Sequence, residues 1–206
     1  MARVRLAAYA AFLVVLLLGA ASGPPARRAV LGAAAAVTWP PSTGFIVAEV
    51  VTGGASASDE FFELANAGST SLDLAGLEVA YVTSSGATVT RKASWTAATV
   101  VAPGQHVLIA NSAGIHGAAA DATYSGGIAA TGGALVLRPT GGTAIDAVGW
   151  GDAVNAFVEG GASTAPAAGT SIERRPGGTG GNTADTNDNL ADFVGNPAPV
   201  PQGLGS

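Results

Sequence analysis

Fourteen acids, nine basic residues and two histidines, with no cysteine, are most of what this chain of 206 residues has for chemistry. Three of the acids fall within six positions, DEFFEL, residues 59–64. In an extended strand, side chains alternate between faces, so Glu60, Phe62, Leu64 and Asn66 share one side and Phe61, Glu63 and Ala65 the other. Phe62 and Leu64 are the expected core pair, and acids that alternate or flank them describe a half-solvated strand. Glu60 or Glu63 could still meet Asp146 from a neighbouring strand at the separation that glycoside hydrolysis requires. That signal is generic, because acids in sheets are mostly solvated or salt-bridged.

A nucleophile needs a base within reach. His106 lies in QHVLIA and His116 in the loop NSAGIHGAAAD; the first reads as a strand histidine at a sheet edge and the second as a solvated loop residue. G-x-S-x-G, H-E-x-x-H, a Walker loop and G-x-G-x-x-G before a helix are all missing, which removes the sequence support for serine hydrolases, zincins and nucleotide binding. The absence of cysteine excludes disulfides, thiolate zinc sites and thiol nucleophiles. The run D-T-N-D-N, residues 185–189, places hard oxygen donors at the alternating positions calcium uses, with Asp185, Asn187 and Asp188 as candidate ligands. It departs from an EF-hand loop at the sixth position, Leu190, and at the twelfth, Asn196, so the sharp turn and the bidentate ligand are missing. The competing reading is that these side chains cap turns ahead of Asp192-Phe193.

The elements that must position these residues are short. From Gly44 onward, apolar or alternating runs occur at 45–51, 60–66, 77–82, 105–110, 134–138, 144–150 and 171–175, with shorter candidates at 72–74 and 98–101. Between them lie the turn signals Ala67-Gly68-Ser69, Ser85-Gly86, Pro103-Gly104, Gly132-Gly133 and Gly141-Gly142. No later segment of helical length shows a clean 3.6-residue period with caps. Thirty glycines and only 11% charged residues fit the same picture, an all-β sandwich of antiparallel hairpins. In such a fold Asp146 and Arg174 could pair across the sheet. Trp150, between Gly149 and Gly151, is either a core anchor or, if exposed, the first candidate for a binding contact.

Arg3 and Arg5 precede an uncharged run, residues 6–23, and then Pro24-Pro25. This is the layout of a secretory signal over residues 1–21 with cleavage after Ala21. The run is also long enough for an uncleaved anchor of about 18 residues, the only route to membrane contact. Residues 22–43, Pro- and Ala-rich, read as a linker, 44–197 as the folded domain and 198–206 as a flexible Pro-rich tail. Without the signal, seven basic residues face fourteen acids, a net charge of −7 (7 minus 14). An acidic surface disfavours nucleic acid.

Four ordered segments give the chain a resemblance to the lamin-tail domain in its secreted bacterial form. They are DEFFELANAG with LDLAGLEV (59–68 and 72–79), VAPGQHVLIA (101–110), AIDAVGWGD (144–152), and SIERRPGG (171–178) trailed by DTNDNLADF and NPAPVPQG. The bacterial pattern usually has Trp where this chain has Leu77, an aliphatic residue able to fill the same core slot. The resemblance implies an immunoglobulin-like β-sandwich without catalytic residues or cofactor, used as an extracellular or cell-surface interaction module. Its implied partner is a protein or a cell-envelope component. The rival expectation is a calcium-dependent or carboxylate-based extracellular hydrolase built around Asp185, Asp188 and nearby acids.

Overall fold

The chain divides into two units, Met1–Gly32 and Ala33–Ser206. The structure, a computed structural model, describes residues 37–206, all within the second unit. The expected signal, residues 1–21, and residues 22–36 of the expected linker lie outside the described residues. Among the described residues, no helix is long and apolar enough to cross a membrane.

The described chain is built almost entirely of strands: β1 (Phe45–Thr52), β2 (Glu60–Asn66), β3 (Leu72–Asp73), β4 (Leu77–Thr83), β5 (Val89–Ser94), β6 (Val100–Val101), β7 (His106–Asn111), β8 (Ala122–Tyr124), β9 (Gly132–Pro139), β10 (Asp146–Gly151), β11 (Ser171–Arg174) and β12 (Phe193–Asn196), with a one-turn helix α1 (Asn189–Asp192) before the last strand. Each of the nine expected strands coincides with one of these. The three that the pattern missed have identifiable causes. β5 carries Arg91 and Lys92 at a sheet margin, β8 is only three residues long, and β12 follows directly on an Asp/Asn-rich turn.

Two sheets face each other, in the orders β12-β11-β1-β2-β7-β8 and β10-β9-β4-β5, with β3-β6 as a separate ribbon. All pairings are antiparallel except β7 with β8. Phe62, Leu64, Val107 and Ile109 of the first sheet join Tyr81, Leu135, Val148 and Trp150 of the second in one core. The architecture is the immunoglobulin-like β-sandwich that the sequence implied.

Both sheets are also covered on their outer faces. Val51, Phe61, Leu108 and Ala110 form a second apolar cluster on the six-stranded sheet. On the four-stranded sheet, Ala80, Val82, Val136 and Ala147 are covered by Val37, Trp39 and Phe157. Consequently β2 is buried at all seven positions, not half solvated.

Covering these faces recruits segments that the composition assigned elsewhere. Trp39, within the expected linker, is buried, and its Nε1 donates to Glu159 Oε1 at 2.8 Å. At the other end, the expected flexible tail is bound to the six-stranded sheet. Gln202 N donates to Glu63 Oε1 (2.6 Å), Leu204 N to Asp121 Oδ2 (3.0 Å), and Gln105 Nε2 to the Leu204 carbonyl (2.8 Å). The packed body therefore reaches beyond 44–197 at both ends.

The turn assignments hold with one exception. Gly86, Gly104 and Gly141 take positive φ at turns. Gly132-Gly133, expected as a turn, instead opens β9. A Cβ at Gly133 would lie 2.4 Å from the Tyr81 ring, so glycine is required there by close approach and not by chain reversal.

Candidate functional site

Arg174 lies wholly buried at one end of the sandwich, pointing from β11 toward β10. Its Nη2 donates to both oxygens of Asp146, at 2.8 and 3.0 Å, its Nε to the Val47 carbonyl at 3.0 Å and its Nη1 to the Ala184 carbonyl at 2.9 Å. Asp185 and Asp192 stand 3.4 and 3.5 Å from Nη1, and the Phe193 ring lies 4.7 Å from the guanidinium carbon. The planar fork of arginine suits this set of acceptors, which a lysine could not meet. The expected Asp146–Arg174 pair thus exists, but it joins the two sheets instead of crossing one. Asp146 also accepts from Val47 N at 2.5 Å, where the register of β1 slips between Val47 and Glu49. The ion pair therefore fixes a β-bulge as well as the sheet-to-sheet spacing.

Glu159, which no pattern in the sequence singled out, completes this cluster. It accepts from Trp39 Nε1, from Ala147 N and from Asn189 Nδ2. One oxygen from each of Asp146, Glu159 and Asp185 falls within 4.8 Å of the others. Burial pushes Asp146 up to about 7 against the pull of Arg174, and pushes Glu159 to about 8 with the Asp146 charge adding to the effect. The excess of carboxylates over guanidinium is thus met by retaining protons, chiefly on Glu159, which makes no direct contact with Arg174. Among the described residues, these three acids are the set that could hold a metal ion, but a cation at their centre would have to compete with Arg174.

Of the calcium candidates, only Asp185 joins this set. It also accepts from the backbone N–H groups of Ser42 and Asn187. Asp188 instead caps α1, accepting from Leu190 N at 3.1 Å. Asn187, at φ 56°, donates to the Trp39 carbonyl at 2.8 Å, and its Oδ1 is buried without a hydrogen-bond partner. Asn189 is fully engaged, with its Oδ1 accepting from Gly149 N and Glu159 N. The D-T-N-D-N run is a turn that bonds its own backbone and seals the edge of β10. Trp150 is completely buried, with Nε1 donating to the Ala129 carbonyl at 3.0 Å. It is a core anchor and offers no surface to a partner, because the two sheets close over it.

The acids of DEFFEL go to three separate places. Glu60 accepts from Ile128 N (2.8 Å), Asn111 Nδ2 (3.0 Å) and the Tyr124 hydroxyl (3.3 Å). Beside it, Lys92 stands 4.8 Å from the Tyr124 ring centre and donates to the carbonyls of Gly126 and Gly127. Glu63, on the opposite face, pairs with His106 Nδ1 at 2.7 Å. His106 opens β7 beyond the reach of β8, which pairs only with Ile109–Asn111, so it does stand at a sheet margin. Neither glutamate shares a partner with Asp146, and the glycosidase-like pair is not assembled.

Glu63 also belongs to a row. Glu173, Glu49 and Glu63 are direct cross-strand neighbours on β11, β1 and β2. All three are buried, and adjacent like charges raise the cost of ionising them. Burial, with Glu63 and Glu173 adding to it, pushes Glu49 up to about 7; Glu63 is also shifted upward by burial. Apart from Glu60, which has donors of its own, these acids are therefore gathered into two buried groups, where solvated or salt-bridged acids were expected. In place of solvent, each group has backbone donors, retained protons and, in the first, Arg174.

Asp59 occupies the third place, at the end of the sandwich, where a cleft of about 320 Å³ opens between the β1–β2 loop, the 112–121 loop and the C-terminal segment. Val51, Phe61 and Ile115 line it together with Asp59 and His116. His116, expected in solvent, packs edge-on to Phe61 with ring centres 5.0 Å apart. Asp59 is held below the usual carboxylate range, first by the Ser56 N–H and next by the Ile115 N–H.

The family model of the Lamin Tail Domain matches residues 40–152, more than half of the chain. The chain belongs to the lamin tail domain family. The match takes in Trp150 and Asp146, whereas Glu159, Arg174 and Asp185 follow it in the chain. Among solved structures, this lamin tail domain is similar to a DUF4876 family protein from Bacteroides thetaiotaomicron. The TM-score is 0.55 and the identity 15%, over 77% of this chain and 72% of that one. An identity so low speaks for the fold alone. No curated protein matches the chain.

Proposed function

We propose that this lamin tail domain is a non-catalytic interaction module, exported and acting at the cell surface or in the extracellular space, that binds a protein or a cell-envelope component. One observation carries the reading: the buried acids of the described residues are bonded by the domain's own donors, whereas the open cleft at the sandwich end is mostly apolar. Acid–base catalysis needs a group held in reach of a reacting atom, and an enclosed Asp146 or Glu159 is better suited to holding two sheets together. Export is supported by the N-terminal signal pattern, and avoidance of nucleic acid by the acidic balance.

The test has two arms. Purified protein immobilised on resin is exposed to solubilised cell-envelope material, and any retained component is purified and titrated back. In parallel, chromogenic glycoside, ester, phosphoester and peptide substrates are assayed. Saturable binding without turnover is the expected result. Turnover abolished by Asp146→Asn or Glu63→Gln, in variants that still fold, would overturn it in favour of a hydrolase.

A further inference from the structure

We propose that residues 197–206 form a strap, shut over a row of three buried glutamates on the outer face of the six-stranded sheet and released when that row takes on its full negative charge. The inference goes beyond the interaction-module reading and does not depend on it. The row, Glu173, Glu49 and Glu63, lies on the adjacent strands β11, β1 and β2. The strap leaves β12 at one edge of this sheet and reaches β7 near the other. Just before it, Asn196 Nδ2 donates to Glu49 Oε1 at 3.3 Å; further on, Gln202 N donates to Glu63 Oε1 at 2.6 Å. Leu204 then bonds Gln105 and Asp121, the residues that precede β7 and β8. Gly203 rests on the sheet, since a Cβ there would stand 3.3 Å from the Leu108 Cβ.

The strap is lightly attached. None of its residues belongs to a strand, and its one backbone-to-backbone bond, from Ser206 N to the Gly203 carbonyl, is internal. Pro197, Pro199 and Pro201 have no N–H to give and keep the chain extended. What lies beneath is costly to charge. Glu49 has Glu63 and Glu173 as direct cross-strand neighbours, and like charges so placed destabilise a sheet. The side chains that donate to Glu49, Ser171 and Asn196, are neutral. Among the described residues, no lysine or arginine lies within 4 Å of the three glutamates, and the imidazole of the row is His106 on β7, paired with Glu63. The strap, β12 and the 176–182 turn that bonds Glu173 bring no charged side chain. Burial, with the neighbouring glutamates adding to it, moves Glu49 up to about 7 from an ordinary 4.5. For a carboxyl raised on burial, the closed state holds the extra proton, so closure is favoured fully below the ordinary value and loses that support as pH rises through 7. Beyond that point the charged row is stabilised by water, which enters when the strap lifts.

The chain has no cysteine, so Val200→Cys, at a strap position 70% exposed, places a single nitroxide label on the full-length protein. Its spin-resonance spectrum is followed from pH 5.5 to 8.5 at 25 °C, with far-ultraviolet circular dichroism recorded on the same samples. The label should be restrained at pH 5.5, and its mobile fraction should rise at least about five-fold by pH 8.5, with a midpoint near 7 and an unchanged dichroism spectrum. Glu49→Gln keeps the shape and removes the charge, and should hold the label restrained across the whole range. On the protein without the label, the Glu49 carboxyl carbon and the Gln202 and Leu204 amides should titrate in nuclear magnetic resonance with one shared midpoint, a readout that does not rely on the variant folding. Label mobility that is the same at both ends of the range, a transition that survives in folded Glu49→Gln, mobility gained only with loss of the dichroism signal, or strap amides that do not follow Glu49 would each overturn the proposal.

Discussion

At the scale of single residues, Arg174 and the acids around it dominate. Arg174→Lys keeps the charge but loses the fork that reaches Asp146 twice, and it leaves Asp146 partly unpaired at complete burial. Removing one partner of such a pair costs about 3–5 kcal/mol, and urea unfolding should show a loss approaching that range. Glu49, Asp146 and Glu159 have pKa values of about 7, 7 and 8 in the folded protein, against ordinary values of 4.5, 3.8 and 4.5. For a carboxyl whose pKa is raised on folding, the folded state binds the extra proton. Stability from this source is complete below the ordinary value, falls as pH rises toward 7 to 8, and is then constant. Asp59, Asp73 and Glu78 are shifted downward and act in the opposite sense, losing their contribution as pH falls below the ordinary range. The expected melting temperature is therefore highest in mild acid, higher at pH 5.5 than at pH 8.5, and Glu49→Gln should flatten part of the decline. The Asp146–Arg174 pair was legible because both residues sit in strand-like runs of a low-charge chain. Glu159 was not, because it lies in a loop of no periodicity and its role comes from Trp39, Ala147 and Asn189, which are distant or featureless in sequence.

At the scale of elements, nine of the twelve strands were readable from the alternation of apolar residues, and strand margins were not. Gly132-Gly133 illustrates the reason: a glycine pair reads as a turn from sequence, but here the Tyr81 ring from the neighbouring strand occupies the space of the missing Cβ. Gly133→Ala should overpack this contact and lower stability by about 1–3 kcal/mol, measurable as a shift of the urea midpoint. The C-terminal segment makes a parallel case. Its prolines and glycines suggested flexibility, yet its backbone N–H groups meet Glu63 and Asp121. Truncation after Pro197 should leave Glu63 without one donor and uncover Leu108. A lower melting temperature with increased binding of a hydrophobic dye is the expected outcome, and an unchanged melt would show that the segment adds nothing to stability.

At the scale of the whole molecule, the acidic chain keeps its buried acids in ordered places: two groups, Glu78 paired with Arg91 and Arg138, and Glu60 and Asp59 each held by donors of their own. Micromolar calcium should not raise the melting temperature, because Arg174 already stands among the three acids that could bind an ion. A rise of several degrees would show that the cation displaces it. By itself, the amino-acid order determined the class of fold, since local alternation and turn residues act within a few positions of the chain. It also determined that thiol and disulfide chemistry are closed to this protein. Only the tertiary structure decided which acids meet, which segments cover the sheets, and that Trp150 is core. Those outcomes depend on bringing together residues 99 or more positions apart, such as Trp39 with Glu159 or Val47 with Asp146, and no local pattern encodes which distant side chain will fill a given space.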